Sequence, residues 1–364
     1  MKKLLVFLWA LLAVSANVNA QGQTATLQQG DKMTPFYGPD AFVEAYNAAQ
    51  KGAVITLSAG EFNTVDSIMK EVSIIGNGYR DNKTVIKGSK SWSNLSFEIR
   101  ANNVTLEGLD MNCVLIANSN HLTIKRCAIY QLIGCKEKSG GRDFKANKNT
   151  LVDQCIICAD LATRGENYCI KNSIISGFIW TNGADATNTL ILNCLFGWPN
   201  SDGGGGALPC AVYKNCLIGT CFKENENEVY DNSYYCEFYN NVFFGGLNWY
   251  NDKARVDGRY NIVLTKNEDT SWQTPVLNWT DSQTCKGNTT ASYDAIFGNS
   301  DEENPLLAPI ITTITGDDGK VVGPYGGTGF SWNPSIPRIV ESKIDSYTDA
   351  EGKLNAKIKV ELNN

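Results

Sequence analysis

Apolar residues along this chain come in short alternating runs, and each run breaks at a polar residue followed by a small one. The stretch "LILNCLFGW", Leu190 to Trp198, shows the pattern most clearly. Leu190 and Leu192 flank Ile191 as in a strand, and then Asn193–Cys194 interrupts before more apolar residues. "VYKNCLIGT", Val212 to Thr220, repeats this with Asn215–Cys216. With Cys194 as a reference slot, related phrases place Gly76 in "VSIIGNG", Gly108 in "VTLEGLD" and Cys127 in "LTIKRCAIY" at the same point. Cys155 in "TLVDQCIIC", Ser173 in "YCIKNSIIS", Asn241 in "EFYNNVFFG" and Asn261 in "GRYNIVLT" follow. From Cys155 onward the slots lie 18, 21, 22, 25 and 20 residues apart, after earlier gaps of 32, 19 and 28.

A unit of about twenty residues built from such short strands cannot bury its own apolar face. Stacked as coils, successive units pair their strands and share one continuous core. A strand period of 2 sends the residue two before the slot outward and its neighbours inward. The Asn-Cys pair then marks a tight turn between two strands of each coil. Asn172, Asn193, Asn215 and Asn240 are expected to face inward and to bond backbone groups of the turns above and below. Cys, Ser and Gly suit the next, cramped position, where buried Cys behaves as a small hydrophobe. Leucine-rich repeats need several leucines at fixed offsets, which are absent. A β-sandwich would show shorter strand spacing and no shared phrase. The pattern predicts an all-β chain folded as a parallel β-helix, or solenoid.

Both ends fit that architecture. In "GPDAFVEAYNAAQKGAVITLSAGEFN", Asp40 is a candidate helix N-cap, Phe42, Val43 and Tyr46 form an apolar face, and Gly52 a stop. Such a capping α-helix would close the first coil. Pro305, Pro324, Pro334 and Pro337 mark departure from the repeat. "RIVESKIDSYTDAEGKLNAKIKVELNN" reads as two alternating strands joined at Asp349 to Gly352, a C-terminal β-hairpin or tail.

Composition adds the compartment. Lys2 and Lys3, an apolar run from Leu4 to Val14 and the small-residue site Val18-Asn19-Ala20 form a secretory signal peptide over residues 1–20. That leaves 21–304 as the coiled domain with its cap and 305–364 as the tail. The apolar run is too short to remain as a membrane span, and no later run is long enough. The expected location is secreted: periplasmic, outer-surface or extracellular. The formal net charge is −6, and loss of Lys2 and Lys3 makes it more negative, which argues against nucleic acid as a general partner. Twelve cysteines in an exported chain raise the question of disulfides. Coil spacing is compatible with bonded neighbours, but recurrence in one cramped slot favours free, buried thiols. Cys155 and Cys158 form a lone C-x-x-C, without the second pair or histidines that zinc requires, His121 being the only histidine.

The phrases "AFVEAYNAAQKGAVITLSAGEF", "VSIIGNG", "VTL-x-G" and "K-N-C-x-I" together resemble the right-handed parallel β-helix superfamily typified by pectate and pectin lyases. "NPLLAP" and "GPYGGTGFSWNPSIPRI" resemble the finish of secreted β-helix proteins of gut-type Bacteroidetes. The resemblance covers nearly all of the mature chain and implies a fold that hosts lyases, hydrolases, epimerases and adhesins. Hydrolases of this fold use clustered aspartates and a Gly-His-Gly motif. Here His121 sits between Asn120 and Leu122, and Asp317–Asp318 lies beyond the repeats. Lyases of this fold use Arg or Lys as base, often with Ca²⁺ on the substrate carboxylate.

The outward position two before the slot holds Lys125, Asp153, Lys171, Leu192, Lys214, Tyr239 and Arg259. The basic members, with Lys171, Lys214 and Arg259 as substrate-binding candidates, could meet a polyanionic chain or form a solvated face. Glu224, Glu226 and Glu228 alternate in "KENENEVYDN", as suits Ca²⁺ on an extended segment or an acidic loop. Trp180, Trp198, Trp249 and Tyr250 follow the slots and would make a sugar-stacking platform or pack under loops. The reading is a monomeric secreted protein that binds a polysaccharide, acidic in one form of the proposal. A calcium-assisted polysaccharide lyase and a structural or adhesion surface protein stand as alternatives.

Overall fold

The computed structural model describes residues 22–88, 96–117, 119–134, 138–139, 142–143, 147–159, 161–162, 165–176, 179–180, 186–196, 211–218, 235–243, 255–265, 285–292, 295–296, 313–327, 329–330, 338–344 and 356–361. The chain forms two compact units, Met1–Phe330 and Ser331–Asn364. The expected signal peptide lies outside the described residues.

In the first unit each coil crosses two long parallel sheets. One sheet takes Ala53–Leu57, Val72–Ile75, Thr105–Glu107, Thr123–Lys125, Leu151–Asp153, Cys169–Lys171, Thr189–Leu192, Ala211–Lys214, Tyr235–Tyr239, Arg255–Arg259 and Cys285–Lys286 in that order. The second takes the strand that follows each of these, from Gly60–Phe62 to Thr289–Ser292. Three coils add a short third sheet of Asn147–Lys148, Gly165–Glu166 and Ala186–Thr187. Burial alternates along the strands of the first sheet: Ile170, Ile191, Tyr213 and Phe238 are fully buried between outward neighbours. Burying such a side chain contributes about 1.5–3 kcal/mol, and stacking continues the contact from coil to coil. The Tyr213 and Phe238 rings, for example, stack at 4.9 Å.

From the Thr105–Glu107 strand onward, the turn between the two sheets is made by a single left-handed residue. Gly108, Arg126, Gln154, Asn172, Asn193, Asn215, Asn240, Tyr260 and Gly287 all have φ between 49° and 72°. Asn enters this region at lower cost than other residues with a side chain, which explains why it precedes Cys so often. The next residue then points into the core. The early coils are therefore in a different register from that expected. Gly108 aligns with the corner residue Arg126, not with Cys127, because Glu107 pairs with Lys125. Leu109, fully buried, fills that coil's inward slot.

The inward ladder also runs through different residues. Asn172, Asn193, Asn215 and Asn240 do not stack inside; the slot residues do. Oδ1 of Asn241 accepts from Cys216 N at 2.8 Å, Oδ1 of Asn261 from Asn241 N at 2.9 Å, and Oδ1 of Asn288 from Asn261 N at 2.9 Å. Their Nδ2 groups donate to Tyr213 O, Phe238 O and Gly258 O at 2.9, 2.9 and 2.8 Å. Ser173 performs the same task with a hydroxyl, accepting from Cys155 N at 3.1 Å and donating to Lys171 O at 2.8 Å. Where Cys fills the slot, its thiol donates to the carbonyl two residues before, as Cys194 does to Leu192 O at 3.2 Å. Seven cysteines are free among the described residues. Burial pushes the Cys127 and Cys194 thiols well above the ordinary thiol value, which keeps them inert. Cys155 is buried and Cys158 exposed, so the C-x-x-C thiols face apart.

At the N-terminal end an antiparallel hairpin, Thr24–Gln29 with Lys32–Tyr37, joins the first sheet ahead of Ala53–Leu57. The capping helix spans Ala41–Ala48 and buries Ala41, Phe42, Ala45 and Tyr46. Val43, expected on its apolar face, is half-exposed. Asp40 precedes the helix without capping it, because its carboxylate accepts instead from Asn63 Nδ2 at 2.6 Å. In the second unit Arg338–Ile344 pairs antiparallel with Ala356–Glu361. The expected joint at Asp349 to Gly352 lies outside the described residues.

Asn261→Ala strands the Asn241 amide and the Phe238 carbonyl, at a cost of about 2–4 kcal/mol. Cys194→Ala removes only packing and a weak donor, at about 1 kcal/mol. Urea denaturation of the two variants checks the ladder, and equal losses would refute it. Thiol titration of the native protein should leave Cys127, Cys155, Cys194 and Cys216 unreacted until denaturant is added.

Candidate functional site

Because each corner is one residue long, the outward position before it recurs in register. Glu107, Lys125, Asp153, Lys171, Leu192, Lys214, Tyr239 and Arg259 form one column across the first sheet. Neighbours are one strand apart, about 4.8 Å. In the first part of the column the charges cancel. Glu107 is ion-paired to Arg126, and Asp153 takes Lys171 Nζ at 3.3 Å and Asn172 Nδ2 at 3.2 Å. Beyond Leu192 the column turns basic. Lys214 and Arg259 flank Tyr239, whose hydroxyl donates to Glu237 Oε2 at 2.5 Å. Arg259 is exposed.

A second element borders this part of the column. Residues 313–327 and 329–330 lie along the corners and are held by their asparagine amides. Asn193 Nδ2 donates to Pro324 O and Gly326 O, both at 2.8 Å. Asn240 Nδ2 donates to Asp317 Oδ1 at 2.7 Å, while Asn240 O accepts from Gly323 N at 2.8 Å. Asn215, between them, packs its amide against Gly326 and Gly327 without a hydrogen bond to a described residue. This strap buries Val322 and leaves Tyr325 40% exposed, with its ring edge-on to Phe330 at 6.2 Å. Partial burial pushes the Tyr325 phenol above its ordinary value. Lys320 Nζ donates to Gly327 O at 2.6 Å.

These corner contacts, the two parallel sheets and the inward ladder decide the class. The chain is a parallel β-helix.

The β-helix brings Lys171, Lys214 and Arg259 into one column, but Asp153 neutralises Lys171. It places Trp180 elsewhere: the Ile179–Trp180 strand pairs with Leu161–Ala162, in the second sheet system. Trp198, Trp249, Tyr250, Glu224, Glu226 and Glu228 lie outside the described residues. Among the described residues no three His, Cys, Asp or Glu side chains are grouped to hold a metal, and no helix is long and apolar enough to cross a membrane. His121 is exposed at a left-handed turn, φ 59°, ahead of the Thr123–Lys125 strand. The sequence reading missed the strap and the charge cancellation. The alternation of Glu107, Lys125, Asp153 and Lys171 carried the second signal; the glycine density of "GPYGGTGF" was the only trace of the first.

The chain matches no protein-family model and no curated protein. Among solved structures it is similar to the PL6 family alginate lyase AlyGC, in a point-mutant form, at 10% identity and a TM-score of 0.33. The match covers 85% of this chain and 58% of that one, so the β-helix spans less than two thirds of its length. Nothing about activity follows from a likeness of that size.

Gly326 marks where the strap closes. A Cβ there would meet Val321 O at 1.8 Å and Asn215 Nδ2 at 2.9 Å. Gly326→Ala should lift the strap, cost about 2 kcal/mol and expose residues 313–330 to limited proteolysis. An unchanged digestion pattern would show that the strap is not held there.

Proposed function

We propose that the chain binds an anionic polysaccharide along the outward column at Lys214, Tyr239 and Arg259, beside the strap. One observation carries this reading: past Asp153 and Lys171 the column keeps its cations but loses the acids that pair with them in earlier coils. A polyanion repeats its charge along its length, and a column of cations at coil spacing presents a fixed array to it. Arg259 offers a planar fork to a carboxylate, and Lys214 a mobile point charge. Export by the leader expected over residues 1–20 would bring this face to extracellular glycans.

A lyase is the second reading, favoured by Tyr239. A phenol between two cations, oriented by Glu237, is placed for proton transfer at a sugar ring whose carboxylate the cations hold. In the calcium-assisted form of this reading, Glu224, Glu226 and Glu228 would supply the hard-cation ligands.

Affinity electrophoresis over a panel of polyuronates and sulfated glycans tests binding. The Lys214→Ala/Arg259→Ala double variant should lose about tenfold in affinity and show a shallower dependence on salt. Unchanged affinity would remove the column from the site. Growth of unsaturated-uronate absorbance that Tyr239→Phe abolishes would select the lyase, and no absorbance on any uronate would exclude it. Absence of binding to every glycan would leave the surface-protein reading.

A further inference from the structure

The corner residues of the first sheet are mostly Asn or Gly, which turn left-handed at low cost. Arg126 and Gln154 stand there with polar side chains, and Glu107 holds the Arg126 guanidinium. Tyr260 is the aromatic exception, at φ 56°. A bulky ring in this region is an outlier that invites a functional reading.

The ring has a built bed. It lies on the backbone of Gly287, the corner of the next coil, where a Cβ would meet Tyr260 Cδ1 and Cε1 at 2.7 and 2.8 Å. Gly287 is itself left-handed, φ 72°, so both its conformation and its bareness suit the position. The strap clasps the corners at Asn193, Asn215 and Asn240, and Tyr260 is the next corner along. It directly follows the exposed Arg259 and is itself half-exposed. The turn has no need of an aromatic, because Asn makes the same turn in four other coils.

From this arrangement we infer that Tyr260 stacks on a sugar ring of the bound glycan, with Arg259 meeting that sugar's carboxylate. The inference rests on the glycan-binding reading of the column. The apolar face of a pyranose suits a flat aromatic, and a ring fixed on a glycine backbone loses little freedom when it is covered.

The test is Tyr260→Asn beside Tyr260→Phe, measured for glycan affinity and Tm. Tyr260→Phe should bind as the parent does. Tyr260→Asn should lose about tenfold in affinity, while Tm holds or rises by about 2 °C as the left-handed strain is relieved. Full affinity in Tyr260→Asn, with loss in the Lys214/Arg259 double variant, would overturn the stacking role and leave the column intact. A lower Tm with parallel loss of affinity would assign the ring to packing and also overturn it. A parent protein that binds no acidic glycan would remove both readings together.

Discussion

From the Thr105–Glu107 strand onward, each coil turns from the first sheet into the second through one left-handed residue, at the edge of a core that water does not enter. That constraint organises the molecule. The left-handed corner leaves backbone amides and carbonyls between coils that the sheets do not pair, and an unpaired buried group costs about 1–3 kcal/mol. The residue after the corner points at those groups and must satisfy them. Asn241, Asn261 and Asn288 do so with both ends of the amide. Ser173 does so with one hydroxyl, and the cysteines with a weak donor and a snug volume. The mixture of Asn, Ser and Cys in the slot is thus one problem solved by three side chains of similar size.

The same corner disciplines the exterior. With no slack in the turn, outward positions of successive coils superpose, and charges spaced about twenty residues apart become neighbours one strand away. Their balance then depends on order. Glu107, Lys125, Asp153 and Lys171 alternate in sign, whereas Lys214, Tyr239 and Arg259 do not. The corner asparagines acquire a second use: Asn193 and Asn240, freed from the interior, hold the strap against the β-helix. The corner after Asn240 carries Tyr260.

The fold was legible in the sequence because a repeat states it many times over. Apolar alternation gave the strands, the Asn-Cys phrase gave the turn, and the spacing of about twenty residues gave the coil. The roles of the two polar positions were less legible. Asn193 and Cys194 are adjacent, and composition alone does not say which one turns and which one points inward; φ decides that. The shift at Gly108 has the same origin, since glycine fits either position and only the pairing of Glu107 with Lys125 fixes the register. Lys171 looked like a free cation because its partner, Asp153, stands 18 residues earlier in the chain and one coil away in space.

By itself, then, the sequence determined the periodic part of this protein: parallel coils, buried thiols, an outward column containing Lys171, Lys214 and Arg259, and a helix at the first coil. Periodic hydrophobicity is a local property and survives reading one residue at a time. The tertiary structure alone decided that Asp153 holds Lys171, that Trp180 belongs to the other sheet system, and that the segment containing Asp317, Pro324 and Gly326 returns to the Asn193, Asn215 and Asn240 corners. Those outcomes depend on contacts between residues far apart in the chain, and the contact at Asn193 spans 131 residues. No local pattern encodes such a contact, because its energy exists only once the coils have stacked.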